Sequence, residues 1–576
     1  MKIVRLNQGN RRELINVIQQ YTQLLPFFDT NSQARQSFVA GLSEETYCHV
    51  GFEKAGRLLG VVRYLQGEHQ LEVNCLLLKQ ASGSDQLAKG VGFWLAQVEK
   101  IGKLARAKNL SLRFVATNIA LEEQLKGANY LLGEQPHWWQ KSLRYKTGLV
   151  LAGGGARGAY QIGAWRALQE LGIEFELIAG TSVGALNGGL ILQGELEAAE
   201  VMWSQIDTGK ILTFPGMNVA KQFSVNAVLR EMQQFALSAV MTQGVSTKPL
   251  RQLIQQLLDE DKMAQQNQDL FICTTQLPQM KEVVVSFKET PSGEFHQWLL
   301  ASSSFFPAME AAKIAGNYYV DGGYRNNIPV DVVLQQGATE VIVIDVKGPG
   351  LTKPVHLPES LPIVTIVSPW NLGTVLLFDG ARSQWNIQLG YLETLKAFGR
   401  YIGHWYTFAH QFDDASLKTW QRRFSRGVLG KLIQGEKKLL QNPQLIAELQ
   451  KKMRPMYPDR IAVSMMPLYV LEMTGKVLGI SPIECYTIEE MLGLIKEKIS
   501  GNWLTDKPEE GMLLSLQEWL RLYADELPLP TEKQQVIFFY RQLLTSPDQL
   551  VLSAAGIAPT MYLIAKLLIW LEKEKE

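Results

Sequence analysis

Apolar and polar positions along the chain fall into three regimes. From Val50 to Ala116 the runs are short. Val50–Glu53 and Leu58–Leu65 read as strands joined by a turn at Lys54–Arg57, and Gln70–Leu78 reads as a third strand. Ser82–Lys89 is a polar loop. Gly90–Ala105 then places Phe93, Leu95, Val98, Ile101 and Leu104 at helical spacing, before a strand at Leu110–Ala116 and a short helix at Ala120–Lys126. From Thr147 to Val367 buried strands alternate with helices. The strands are Leu149–Ala152, Phe175–Ala179, Leu270–Thr275, Val283–Phe287, Tyr318–Val320, Val341–Val346 and Leu361–Val367. The intervening helices are Tyr160–Leu171, one opening at Ala185, Leu196–Asp207, Val225–Leu237, Pro249–Leu258 and Asn326–Gln336. Beyond Gln411 the pattern is helical, at Leu429–Leu440, Pro443–Met453, Ile488–Ile499, Leu513–Ala524, Glu532–Leu544 and Met561–Glu572. Three domains follow: 1–146, 147–410 and 411–576.

The most informative stretch is GLVLAGGGARGAYQIGAWRALQELGIEFELIAGTSVGALNGG, residues 148–189. A strand, a glycine turn and a helix are followed by a second strand ending in Gly180-Thr181-Ser182-Val183-Gly184, and by a second helix at once. That context gives G-x-S-x-G its chemical meaning: the serine sits on a sharp turn with its oxygen exposed, and a helix N-terminus lies beneath it. Gly153-x-Gly155-x-x-Gly158 also fits a dinucleotide fingerprint, with Glu176 about twenty residues on. Position argues against it. The ribose-binding acid should close the second strand, whereas Glu176 falls near its start.

Further on, Asp321-Gly322-Gly323 follows a short strand. The glycine turn, the serine motif and this aspartate, in this order, resemble the patatin-like phospholipases over about Thr147–His410. The resemblance implies a three-layer α/β/α hydrolase fold, a Ser182–Asp321 dyad, and an oxyanion loop made of Gly153, Gly154, Gly155, Ala156, Arg157 and Gly158. It also implies a lipid or phospholipid ester as substrate. Arg157 either holds the loop or meets a headgroup phosphate. Ser302, Ser303 and Ser304 lie in WLLASSSFFPA, which resembles the family's A-S-x-x-x-P segment with Ser302 in place of alanine. None of the three sits between glycines at a strand-to-helix turn, so they read as capping or packing residues. An ordinary triad needs a late histidine. His356, His404 and His410 have no distinctive setting and His296 precedes the aspartate, which favours the dyad.

The order of elements before Thr147 is similar to the GNAT acetyltransferase superfamily. Leu87-Ala-Lys-Gly90-Val-Gly92 stands where that family's Q/R-x-x-G-x-G/A loop cradles the coenzyme A pyrophosphate, so Gly90 and Gly92 are the cofactor-binding candidates. Asn118, Leu121 and Tyr130 resemble its closing pattern. Leu87 replaces the usual Gln or Arg, and Leu125 stands where a tyrosine often acts as general acid. A degenerate accessory domain is the expectation, with acetyl-CoA or CoA as its ligand if binding survives. Trp138 and Trp139 read as core or interface residues.

Composition narrows the partners. Lysine plus arginine total 57 against 56 aspartate plus glutamate, a formal charge of +1, which gives no reason to expect nucleic acid. The four cysteines (Cys48, Cys75, Cys273, Cys485) are scattered, without a CxxC pair. They suggest neither disulfides nor zinc, and a reducing compartment. The start, MKIVRLNQGNRREL, carries charge where a signal peptide needs an apolar core. The expectation is a cytoplasmic protein requiring no metal or cofactor for hydrolysis, with peripheral membrane contact through the aromatic-rich stretch 372–405 as an open alternative. Pro559 and Lys566 interrupt Val551–Trp570, the nearest approach to a membrane span. The helical third domain is left to oligomerisation or to covering the site. The reading is a serine lipid acyl hydrolase. The alternatives are a coenzyme A-binding regulatory protein or acyltransferase, and a non-enzymatic scaffold.

Overall fold

The computed structural model describes residues 2–6, 11–44, 46–54, 57–79, 90–211, 246–306, 308–409, 414–429, 465–500, 531–545 and 558–574. They divide into two compact units: Met1–Ile3 with Val17–Phe398, and Val4–Asn16 with Gly399–Glu576. The Ser82–Lys89 loop, the Val225–Leu237 helix, nearly all of Leu429–Leu440, and the Pro443–Met453 and Leu513–Ala524 helices lie outside the described residues, as does His410.

In the first unit, Cys48–Lys54, Arg57–Gln66 and Gln70–Lys79 form an antiparallel meander. Gln70–Lys79 then runs parallel to Asn109–Arg113, but only over Gln70–Val73 against Asn109–Leu112, so the two strands part beyond those residues. Trp138–Ser142 pairs antiparallel on the far side. Helix Val91–Leu104 buries Trp94, Leu95, Val98 and Ile101 against Phe52, Leu71, Leu110 and Trp139. Trp139 is therefore a core residue. The strand Trp138–Ser142 and a helix at Asn31–Gly41 were not expected from the pattern. The helix did carry a signal: Thr30 and Gln33 form a reciprocal capping box.

The second sheet has five parallel strands in the order Asp269–Leu277, Leu177–Thr181, Thr147–Leu151, Glu340–Asp345, Ile363–Val367. Counted along the chain this is 3-2-1-4-5, with the order reversing beside the first strand. Side chains alternate between the faces. Val150, Leu177, Ala179, Phe271 and Cys273 pack with Val332 and Val333 of helix Val330–Gln335. On the other face, Gly188 of helix Val183–Gln193 lies against Leu151, Ile178 and Leu270, so helices cover both sides. Helix Gly380–Ala397, the core of the aromatic-rich stretch, packs on Ala159–Glu170. A Cβ on Gly163 would lie 1.8 Å from the Ile387 carbonyl oxygen, and one on Gly390 2.0 Å from that of Tyr160.

The two sheets meet at the amino ends of the parallel strands. Lys103 and Arg106 pair with the buried Glu340 at 3.4 and 3.5 Å, and Lys100 Nζ donates to the Glu359 carbonyl at 2.9 Å. This junction is at the opposite end of the strands from Ser182.

In the second unit, Met466–Val477, Ile488–Ser500, Glu532–Thr545 and Pro559–Lys573 are helices. Thr407–Ala409 pairs with Tyr401–Ile402 and Cys485–Tyr486. The Met466–Val477 helix was missed because apolar residues surround it, leaving no amphipathic period to read. No described helix is long and apolar enough to cross a membrane.

Candidate active site

Two chain segments reach the same point on the strand Asp269–Leu277. Leu177–Thr181 pairs with Leu177 opposite Asp269 and Thr181 opposite Cys273. Asn317–Asp321 pairs with Asp321 opposite Thr274. Lys281–Ser286 covers Phe271–Gln276 on the other edge, so the first two strands take successive lengths of one edge. Their carboxyl ends meet head-on, and the residues that follow, Ser182 and the side chain of Asp321, face one another. Gly322 must be glycine there, since a Cβ would lie 2.2 Å from the Cys273 carbonyl oxygen.

Ser182 has φ 55° and ψ −123°, the strained geometry of a strand-to-helix elbow, at a cost of order 1–3 kcal/mol. The turn is closed by small residues on both sides: a Cβ on Gly180 would strike the Gly184 carbonyl at 2.3 Å. Helix Val183–Gln193 starts directly after it, so its free N–H groups and positive end lie under the hydroxyl. Three hydrogen bonds fix the surroundings. The Ser182 amide donates to Ser302 Oγ at 2.9 Å, Ser302 Oγ donates to the Cys273 carbonyl at 2.7 Å, and Thr181 Oγ1 donates to the Asn326 carbonyl at 2.7 Å.

Asp321 is 5% exposed. Burial pushes its carboxyl up from 3.8 to about 6, against hydrogen bonds from the Ser182 side chain and the Gly323 amide that lower it. The Gly323 N–H donates at 2.7 Å, and Asp321's own N–H donates to the Ser304 carbonyl at 2.9 Å.

The glycine loop is more selective than its letters suggest. Three of its amides are already committed: Gly153 to the Asn327 carbonyl, Ala156 to Val375, Arg157 to Gly154. Gly154 and Gly155 line the cavity that holds Ser182 and Asp321, and neither amide donates to another backbone group among the described residues. Of the six loop residues, these two combine a place on the cavity wall with an amide uncommitted to the backbone among the described residues. Arg157 Nε donates to the Gly373 carbonyl at 2.8 Å, and its Nη1 donates to the Lys347 carbonyl. The guanidinium holds the loop against the 347 and 373 turns.

The cavity has a volume of about 310 Å³. Its wall is mostly apolar, from Leu186 and Leu190 through Trp203 and Ile254 to Phe305 and Phe378, with Asn187, Ser303, Tyr324 and Asn327 as further polar lining residues. No histidine is among its described lining residues. His296 lies beside Glu260 at 3.6 Å, and His356 is exposed in its loop. Glu176, the acid of the rival dinucleotide reading, accepts from the Thr147 amide at 2.6 Å, at the amino ends of the strands. A ribose bound beyond their carboxyl ends would be out of its reach.

Residues 149–334 match the patatin-like phospholipase family. Over 199 residues the chain is 31% identical to patatin-like phospholipase domain-containing protein ZK370.4 of Caenorhabditis elegans, covering 34% of this chain and 13% of that protein. It is 30% identical over 228 residues to lysophospholipase NTE1 of Mycosarcoma maydis, covering 39% of this chain and 11% of that one. The chain thus spans about an eighth of the length of these curated relatives. Among solved structures, the GNAT domain of S. lividans PAT is 12% identical with a TM-score of 0.20, over 24% of this chain and 89% of that one. The patatin-like match contains the serine elbow, the glycine loop and Asp321.

From sequence Ser302 reads as a packing residue; its acceptance of the Ser182 amide is a contact that the letters do not reveal. Only its place in a segment resembling one beside the family's active site pointed that way. Gly90 and Gly92, the cofactor candidates, stand at the start of helix Val91–Leu104. Both are exposed, and none of the described residues lies within 4 Å of where a side chain would be.

Proposed function

We propose that the patatin-like domain is a serine acyl hydrolase of lipid esters, with Ser182 as nucleophile and Asp321 as its base. The observation that carries this is the placement of both side chains on one largely apolar cavity, at the carboxyl ends of two strands that meet head-on over Cys273 and Thr274. Ser182 Oγ attacks the ester carbonyl while its proton passes to Asp321. The oxyanion forms against the amides of Gly154 and Gly155, at the positive end of helix Val183–Gln193. One such donor is typically worth about 3 kcal/mol of barrier. Asp321 returns the proton to the departing alcohol, then takes one from the water that hydrolyses the acyl-enzyme. A carboxyl near 6 suits this exchange better than one near 4, since an effective base has a pKa close to the working pH.

The substrate class rests on the apolar wall and on the names of the relatives. Each buried methylene of an acyl chain contributes about 0.8 kcal/mol of binding, so the cavity favours the acyl part of a glycerophospholipid or lysophospholipid. The test is a fluorophosphonate probe, followed by mass spectrometry of lipid products. Wild type should be labelled and should release fatty acid, whereas Ser182→Ala should do neither. Labelling that survives Ser182→Ala would remove the assignment.

A second reading concerns the first domain. The exposed N-terminus of helix Val91–Leu104 has no side-chain cap, and its two glycines leave open space among the described residues. These features fit a pyrophosphate, and we infer a coenzyme A-binding module that regulates the hydrolase. Peripheral contact with a lipid surface remains part of the same proposal, as does a cytoplasmic location.

A further inference from the structure

We propose that Ser302–Ser304 is a positioning clamp that sets the separation of the two reacting side chains, with the Ser302 hydroxyl as its adjustable member. The inference rests on the Ser182–Asp321 reading and asks what holds that pair in register.

The segment lies at the end of helix Phe295–Ser302 and touches both partners. Through Ser302 Oγ it accepts the amide of Ser182, and through the Ser304 carbonyl it accepts the amide of Asp321, each at 2.9 Å. Two residues of one turn thus hold the two carboxyl-terminal strand ends that meet over Cys273 and Thr274. Ser302 is fully buried and its own proton is committed to the Cys273 carbonyl, which orients an oxygen lone pair at the Ser182 N–H. That commitment also excludes Ser302 as a nucleophile. The Ser182 amide belongs to a residue in a positive-φ conformation, and such a conformation persists only where its surroundings over-determine it. Replacing Ser302 with alanine deletes one oxygen, leaves a part-buried N–H without its acceptor and lets the elbow relax.

A relaxed elbow moves Ser182 Oγ away from Asp321. Two readouts follow that ordinary packing would not move. Asp321 loses the hydrogen bond that lowers its pKa while burial continues to raise it, so the acid limb of the rate profile shifts upward. Tyr324 is the titratable neighbour whose interaction with Asp321 is resolved, and it stays neutral across that range because burial raises its pKa. Turnover also falls without a change in substrate binding, since the cavity wall is untouched.

The experiment compares wild type, Ser302→Ala and Ser302→Thr with p-nitrophenyl butyrate, using fluorophosphonate titration to count active sites. Ser302→Ala should lose roughly 10- to 100-fold in kcat per titrated site, with KM within about twofold. Its acid limb should lie above that of wild type, and Ser302→Thr, which restores the hydroxyl, should recover most of both. Ser302→Ala with wild-type kcat per site and an unmoved acid limb overturns the clamp, whatever its thermal stability. Absence of labelling in wild type, or labelling that persists in Ser182→Ala, strikes instead at the dyad.

Discussion

Two glycine clusters in the first unit look alike as letters and differ as objects. In the 153–158 loop each missing side chain is demanded by the protein itself. A Cβ would lie 2.4 Å from Val346 Cγ2 at Gly154, 2.1 Å from the Val375 carbonyl at Gly155 and 2.4 Å from Val183 Cγ2 at Gly158. Gly155 also has φ 55°, a conformation that L side chains rarely adopt. At Gly90 and Gly92 no atom of the described residues comes within 4 Å of where a Cβ would be, and neither residue has positive φ. The first cluster is glycine because internal packing excludes anything else. In the second, none of the described residues demands glycine, and a bound ligand is the demand that can be tested. The functional reading of the first cluster can therefore be tested through folding and catalysis together, and that of the second only through binding.

The sharpest contrast in stability is expected at Gly155. Gly155→Ala forces a methyl against a backbone carbonyl at a positive-φ position, so left-handed strain adds to overpacking, at a combined cost of about 2–5 kcal/mol. Because the residue also lines the cavity and presents an uncommitted amide, turnover should fall by at least about 100-fold. Thermal melting and initial rates on a soluble ester check both. A variant with wild-type melting and wild-type turnover would show that this loop is neither tight nor catalytic.

Asp321→Asn should show the opposite sign in stability. Burial raises the carboxyl from 3.8 to about 6, so the native state binds a proton that the unfolded state releases between those values. Stability contributed by the protonated form is fully present below about pH 4 and is lost as pH rises through about 6. At neutral pH the ionised group therefore destabilises the fold, by about 3 kcal/mol for this shift. Asparagine removes the charge. The variant should be inactive yet melt higher than wild type at pH 7.5, with the difference closing near pH 4. A variant less stable than wild type at pH 7.5 would refute the desolvated carboxyl. The same pKa sets the activity profile of wild type, which should rise through about pH 6 and level off above it.

Much of this site could be read in advance because its information is local. Buried strands at Leu149–Ala152 and Phe175–Ala179, each followed by a glycine turn and a helix, are written in consecutive residues, and the Asp321-Gly-Gly turn likewise. What could not be read depends on residues remote in sequence. Which loop amides remain uncommitted is decided by the Asn327 and Val375 carbonyls. The meeting of Ser182 and Asp321 depends on two strands sharing one edge of Asp269–Leu277, a register that no single segment encodes. Ser302 differs from its neighbours Ser303 and Ser304 only through the backbone amide it reaches. The Arg157 guanidinium is taken up by the Lys347 and Gly373 carbonyls, 190 and 216 residues away in sequence.

The smallest expected effect tests the other half of the comparison. Gly92 lies in the first turn of helix Val91–Leu104, exposed, in open space and without positive φ, so alanine fits there without strain. Alanine restricts the unfolded chain more than glycine does, and Gly92→Ala should stabilise the domain by about 0.5 kcal/mol, an upward shift in melting of about 1–2 °C. A pyrophosphate cradled on that turn needs the backbone to approach it closely, and the added methyl stands in its path. Titration calorimetry with acetyl-CoA should therefore give heat with wild type and little with the variant, while hydrolysis of a soluble ester stays unchanged in the absence of coenzyme. Loss of stability in Gly92→Ala would mean that internal packing demands glycine here too, erasing the distinction from the 153–158 loop. Equal heats from both proteins would leave the distinction standing but move the coenzyme elsewhere. Heat from neither would make the open turn a relic of the fold, with the hydrolase as the domain that carries chemistry.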